Sequence, residues 1–116
     1  YGDERKGCVS LGGHWNPTGS THGSMWVPDR PRHSGDLINN VDADQRGNFE
    51  YAYDDPRLQL FGDVSSTIIG RSIVIHNGED DLGLGGDAES LKTGNAGSRM
   101  ACAIIGLAKD GPHWDQ

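Results

Sequence analysis

Residues 1–38 hold no apolar period of helix or strand, yet they carry three of the chain's five histidines. A stretch without a core-facing stripe cannot be held by packing. Structureless loops beyond about 12–15 residues are uncommon in compact domains unless they serve a function. The histidines lie in Gly13-His14-Trp15-Asn16-Pro17, His22-Gly23 and Arg32-His33-Ser34-Gly35-Asp36. Three neutral imidazoles and the Asp36 carboxylate make a natural tetrahedral zinc set, and a cation can order a loop that has no core of its own. Spacing alone leaves a second reading open, in which the histidines are scattered over a polar surface. A further histidine, His76, ends the apolar run Ser72-Ile73-Val74-Ile75-His76. At the end of a strand it is either a partly buried structural residue or a ligand to a second metal.

The bulk properties narrow the classes. At 116 residues the chain is a single domain, 1–116. Its hydrophobic fraction of 34% is low and glycine occurs 18 times, so the core is small and the fold needs staples such as a metal or a disulfide. The formal net charge of −7 argues against nucleic acid as a partner, since phosphate binding needs a basic face. No apolar stretch approaches the length of a membrane span and no signal peptide is visible. Cys8 and Cys102 stand near opposite ends. They are either a bridge closing nearly the whole chain or two separate buried thiols.

Few segments carry strand signals. Asn39 to Asp44 reads as a short strand before a turn at Asp44-Gln45-Arg46-Gly47. Asn48 to Tyr53 alternates aromatic and polar residues, the period of a half-buried strand. Leu58 to Phe61 reads as another short strand. Arg71 to His76 is the strongest, being β-branched and apolar. Residues 77–97 are loop, with Asp87-Ala88-Glu89-Ser90 opening a short helical turn, and Arg99 to Leu107 is a closing strand. The tail, 109–116, reads as irregular. Short strands between long loops give an all-β class.

Three further groups have plain and functional readings. Asp80-Asp81-Leu82-Gly83 is either an acidic turn or the source of a carboxylate that orients metal-bound imidazoles through their free N–H groups. Gly94-Asn95-Ala96-Gly97 is turn chemistry before a strand and lacks the residues of a phosphate loop. Arg99 is either a surface charge or the cation that draws an anionic substrate to an acidic protein.

Taken together these stretches resemble copper–zinc superoxide dismutase. The resemblance rests on Gly7-Cys8, Gly13-His14-Trp15-Asn16-Pro17, His22-Gly23, Arg32-His33-Ser34-Gly35-Asp36-Leu37, Ile68-Ile69-Gly70-Arg71-Ser72-Ile73-Val74-Ile75-His76, Asp80-Asp81-Leu82-Gly83 and Thr93-Gly94-Asn95-Ala96-Gly97-Ser98-Arg99 with Ala101-Cys102. It runs from Tyr1 to about Leu107. It implies an eight-stranded antiparallel Greek-key β-barrel, here incomplete, and disproportionation of superoxide to oxygen and hydrogen peroxide with copper and zinc as cofactors. It implies that His14 bridges the two metals, that His22, His33 and Asp36 complete zinc, and that His76 is a copper ligand. Asp80 would link a zinc-site and a copper-site histidine. Cys8 and Cys102 would form the disulfide. Arg99 would receive superoxide, with His14 as proton donor, and Glu89, Lys92 and Arg99 would guide the anion. Tyr1, Gly2, Ile69, Gly70 and Leu107 would lie at a homodimer contact, and a copper chaperone is an expected partner.

The chain also departs from that pattern. The family carries a His-x-His pair just before the position of Tyr1, supplying two copper ligands, so the chain reads as the C-terminal two-thirds of a longer enzyme. The loop between His22 and His33 is longer than in common members and carries Met25 and Trp26. Leu37-Ile38-Asn39-Asn40-Val41 has one residue more than the usual pattern, and Val64-Ser65-Ser66-Thr67 is expanded. If Tyr1 were a true N-terminus, the expectation would shift to a non-catalytic zinc-stabilised homologue or a copper-handling protein. A copper-only extracellular relative would have a disrupted zinc set, and this one is complete. The compartment stays open between extracellular and cytoplasmic, with the divergent loops leaning to extracellular.

Overall fold

The computed structural model describes residues 1–109. Strand β1 (Arg5–Cys8) runs into a single 3-10 turn (Val9–Leu11). Strand β2 (Ser72–His76), helix α1 (Ser90–Thr93) and strand β3 (Arg99–Ile104) follow after long irregular segments. The described residues are thus mostly non-helical, and their one sheet pairs β2 with β3 antiparallel. The β-branched run Ile73-Val74-Ile75 suits a pleated surface. Its register sets Val74 opposite Cys102 and His76 opposite Arg99, with an irregularity between Ile75 and His76. The pairing continues past the strand ends, where the Gly70 N–H donates to Ile105 O at 2.8 Å and the Asn77 N–H to Ser98 O at 2.9 Å.

A disulfide joins Cys8 to Cys102 across 94 residues, with the Cα atoms 5.8 Å apart, and so fastens β1 to β3. The loop preceding β2 is tied in by Arg71. Its guanidinium lies 4.5 Å from the centroid of the Trp15 ring and donates to Thr67 O and Val64 O. A cation over an indole face is attracted by the ring quadrupole.

The interior is unusual in kind. Among the described residues the buried apolar side chains are Leu11 and Ala96, whereas His22, Ser24, Arg32, His33, Ser34, Asp36, Asp80 and Ser90 are buried and polar. Buried polar groups need partners. Here they find them in one another and in the loop backbone, so the histidine-bearing segment is folded around a polar centre.

Three expected strands do not form among the described residues. Residues 39–44 and 48–53 are irregular, and 58–61 contributes only an isolated parallel bridge between Gln59 and Thr67. The alternation in 48–53 sets a face but supplies no partner, and Phe49, Tyr51 and Tyr53 are all exposed. A strand needs a neighbour to take its N–H and C=O groups. The turn after Asp44 is present, with the Gly47 N–H donating to Asp44 O at 3.0 Å. Strand β1 was not expected from the sequence. The closing strand ends at Ile104 rather than Leu107. The expected helical turn after Asp87 is α1, whose first N–H, from Ser90, donates to Asp87 Oδ1 at 2.7 Å. The tail expected to be irregular falls outside the described residues except for Lys109.

Candidate metal centre

The long first loop brings four donors to one point. The Nδ1 atoms of His14, His22 and His33 and a carboxylate oxygen of Asp36 all lie within 4.8 Å of one another. Oδ1 of Asp36 is 2.8 Å from His14, 3.0 Å from His22 and 3.1 Å from His33. His14 Nδ1 is 3.2 Å from His33 Nδ1 and 3.3 Å from His22 Nδ1. The other Asp36 oxygen accepts the backbone N–H groups of Gly23 and His33, both at 2.9 Å, which fixes the carboxylate plane. Gly35 permits this fold-back. Its N–H donates to Trp15 O at 2.8 Å, and a Cβ there would meet Trp15 N at 2.8 Å.

The donor set fits zinc. Zinc bonds to nitrogen and oxygen of about 2.0–2.2 Å put the corners of a tetrahedron roughly 3.3 Å apart. The separations in the cluster, from 2.8 to 3.3 Å, lie near that. Three ring nitrogens facing one another and sharing one carboxylate oxygen cannot all be satisfied by protons, because protons on adjacent nitrogens would collide. A cation satisfies all four.

The carboxylates and imidazoles of the cluster shift one another's titration. Burial by itself lowers the pKa of His22. Hydrogen bonds to Asp36 and Asp80 and the charges of both carboxylates outweigh it and raise the value to about 9. Burial pushes Asp36 up, but contacts with His14, His22, His33 and the Gly23 N–H hold it far below the usual carboxylate range.

His22 is pinned at both nitrogens, since Nε2 lies 2.9 Å from Asp80 Oδ1. A carboxylate only accepts, so Nε2 carries the proton and Nδ1 presents its lone pair to the cluster. Gly94, at φ +74, allows the loop bearing Asp80 to close here, because a Cβ at this position would run into both Asp80 and His22. His76 lies at the end of β2 with its ring centroid 6.2 Å from that of His14. Its Nδ1 is 2.9 Å from Gly97 O, which can only accept, so Nε2 holds the lone pair. Across the ladder from His76, Arg99 donates to Cys8 O at 2.6 Å and to Gly12 O at 2.5 Å. The disulfide and the guanidinium thus grip the same segment.

The sequence model of the family described as copper/zinc superoxide dismutase matches residues 1–105. A superoxide dismutase (Cu-Zn) of Schizosaccharomyces pombe is 52% identical over 93% of this chain and 67% of its own length. Those of Pleurocordyceps sinensis and Paramecium bursaria Chlorella virus 1 are 51% and 52% identical, over 93% and 94% of this chain and 67% and 56% of their own lengths.

The chain belongs to the copper/zinc superoxide dismutase family.

It spans about two thirds of the length of the two fungal relatives and 56% of the viral one. The family implies a β-barrel fold, copper and zinc. The structure gathers the four residues expected to bind zinc, sets His76 beside His14, and joins Cys8 to Cys102. Glu89, at the N-cap of α1, and Lys92, within α1, are exposed, with Glu89 Oε1 accepting from the Thr93 hydroxyl at 2.8 Å. Tyr1 and Leu107 are exposed as well. Gly2 packs against the carbonyl of Gly70, where no side chain would fit. Among the described residues no helix is long and apolar enough to cross a membrane.

Several residues that shape the centre escaped sequence reasoning. Arg32 donates to Asp36 O at 3.1 Å and forms a bidentate pair with Asp55, at 2.9 and 2.8 Å. Both side chains of that pair are buried. Arg32 holds the Asp55 carboxyl below its usual range. Asn40 binds the backbone of Asp80 through both amide atoms. Adjacency to His33 was the only available hint for Arg32, and none existed for Asn40.

Proposed function

We propose that the enzyme carrying this chain disproportionates superoxide to oxygen and hydrogen peroxide, and that these residues form its zinc site and one side of its copper site. Copper supplies reversible one-electron chemistry, while zinc, which has no redox chemistry, supplies a fixed charge. His14, His22, His33 and Asp36 would hold zinc. His14 would also serve the copper site with its remaining ring nitrogen, and could hold or release a proton there. His76 would be a copper ligand. Arg99 orients its guanidinium from two backbone carbonyls and receives the anion, while Glu89 and Lys92 shape the field on the approach. Asp80 fixes the tautomer of His22. Residues 1–116 act as one domain of an antiparallel Greek-key barrel. The homodimer contact takes in Tyr1, Gly2, Ile69, Gly70 and Leu107, and a copper chaperone is the natural metal donor.

The convergence of His14, His22, His33 and Asp36 carries this reading, with family membership beside it. The test is metal analysis and superoxide decay on the full-length protein. The expected result is one zinc and one copper per chain. His33→Ala should lose zinc, and His76→Ala should lose copper and activity but keep zinc. A full-length protein that binds neither metal in stoichiometric amount sinks the assignment.

A further inference from the structure

Two of the segments in which this chain departs from the pattern it otherwise resembles touch each other. The lengthened loop after His22 carries Trp26, and the lengthened stretch after Asp36 carries Ile38-Asn39-Asn40. The Trp26 indole N–H donates to Ile38 O at 3.2 Å, and the Asn39 amide donates to Gly23 O at 2.9 Å. Asn39 adopts φ +63, a left-handed conformation that asparagine tolerates better than other non-glycine residues. Its Oδ1 is buried with no hydrogen-bond partner among the described residues. Burying half an amide unpaired is unfavourable, so the donor half is what the position gains. Next to it, Asn40 Nδ2 donates to Asp80 O at 3.0 Å and the Asp80 N–H donates to Asn40 Oδ1 at 2.8 Å.

These bonds fall on the two sides of one contact. Gly23 follows His22 directly, and Asp80 is the acceptor of the His22 Nε2 proton. The bonded residues come from segments far apart in sequence, 22–40 and 77–98, and consecutive amides grip both. We propose that Asn39 and Asn40 form a positioning clamp that holds the His22–Asp80 hydrogen bond closed, so that this chain retains zinc through a brace between the loop bearing His22 and the loop bearing Asp80. Asn39 fixes the side bearing His22 and Asn40 the side bearing Asp80. Trp26 ties the tip of the lengthened loop to the same stretch. Neither asparagine touches the donor cluster, so both act through His22.

The inference rests on the zinc reading above, and the experiment separates the two. In full-length zinc-loaded protein, the rate of zinc loss to excess chelator is measured together with solvent exchange of the His22 Nε2 proton, followed by nitrogen-15-edited NMR. Asn39→Gly keeps the left-handed turn and removes only the amide. It should release zinc about tenfold faster, in line with the usual effect of altering groups that orient a metal-binding histidine. The imidazole proton should exchange faster by a similar factor, while the melting temperature of the metal-free protein stays unchanged. Asn40→Asp retains the acceptor for the Asp80 N–H and loses the donor, and should fall between the two. Wild-type zinc loss and proton exchange in Asn39→Gly overturn the clamp. Absence of stoichiometric zinc from the unaltered protein, or its full retention in His22→Ala, overturns the zinc reading and the clamp with it.

Discussion

His22 shows how much one side chain can be asked to do. It is buried, faces Asp36 on one nitrogen and Asp80 on the other, and takes a backbone bond from its own N–H to Leu91 O at 2.7 Å. In metal-free protein its pKa stands raised from 6.5 to about 9. The sign follows by linkage. A raised value in the folded state means that the bound proton favours folding fully below pH 6.5, and that this contribution is lost as pH climbs through about 9. Asp36 works in the opposite sense, stabilising above pH 3.8 and losing that contribution on acidification. The metal-free protein should therefore lose melting temperature between pH 6.5 and 9, whereas zinc-loaded protein, whose His22 carries no proton on Nδ1, should not. Zinc affinity should rise with pH over the same interval because binding releases that proton. Calorimetry on both forms checks this, and a flat metal-free profile contradicts it. The four members of the cluster were legible in the sequence because His14, His22, His33 and Asp36 stand together in a stretch that has no other means of ordering. Arg32, Asn39 and Asn40 were not, because they bind backbone carbonyls and a distant carboxylate, and no residue pattern announces such bonds.

At the scale of elements, the β2–β3 ladder positions the candidate site. Its irregularity after Ile75 skips Met100 and sets Arg99 opposite His76. The Cys8–Cys102 bridge then draws β1 and the 3-10 turn against β3, delivering the two carbonyls that hold Arg99. Cross-linking over so long a loop removes denatured-state entropy equivalent to about 4–5 kcal/mol. Cys102→Ser should lower unfolding stability by roughly that amount in urea titrations. It should also slow superoxide decay more than zinc loss explains, because the guanidinium proposed to receive the anion loses its anchor. A stable variant of unchanged rate would show that Arg99 is held without the bridge. The two paired strands were readable from Ile73-Val74-Ile75 and from the run around Cys102, where β-branched and apolar residues cluster. Residues 48–53 were misread because alternation reports a face and not a partner. Local bonds already serve the neighbouring backbone there, with the Arg46 and Asn48 N–H groups donating to Asp44 Oδ1 and the Asp42 N–H to the Tyr51 hydroxyl oxygen.

At the scale of the whole chain the question is how so acidic a stretch admits the anion of the proposed reaction. Its net charge of −7 opposes an anion at long range, but beyond a Debye length of about 8 Å at physiological salt that repulsion is screened. On the proposed function, capture depends on the local field, where half-buried Arg99 sits across the ladder from His76 and exposed Lys92 lies on α1. Arg99 is fixed by two short hydrogen bonds, so on that reading it carries the larger share of the local attraction. Focused fields of this kind raise association rates by about 10- to 1,000-fold. Arg99→Glu in the full-length enzyme should therefore slow superoxide decay by at least about tenfold at low ionic strength. The normal fall of rate with added salt should shrink, since the attraction being screened has gone. Lys92→Glu should cost less, and zinc content should stay at one per chain in both, because neither side chain reaches the cluster around Asp36. Equal losses in the two variants would assign the steering to net charge, whereas a loss confined to Arg99 assigns it to the position that the disulfide and β3 hold in place.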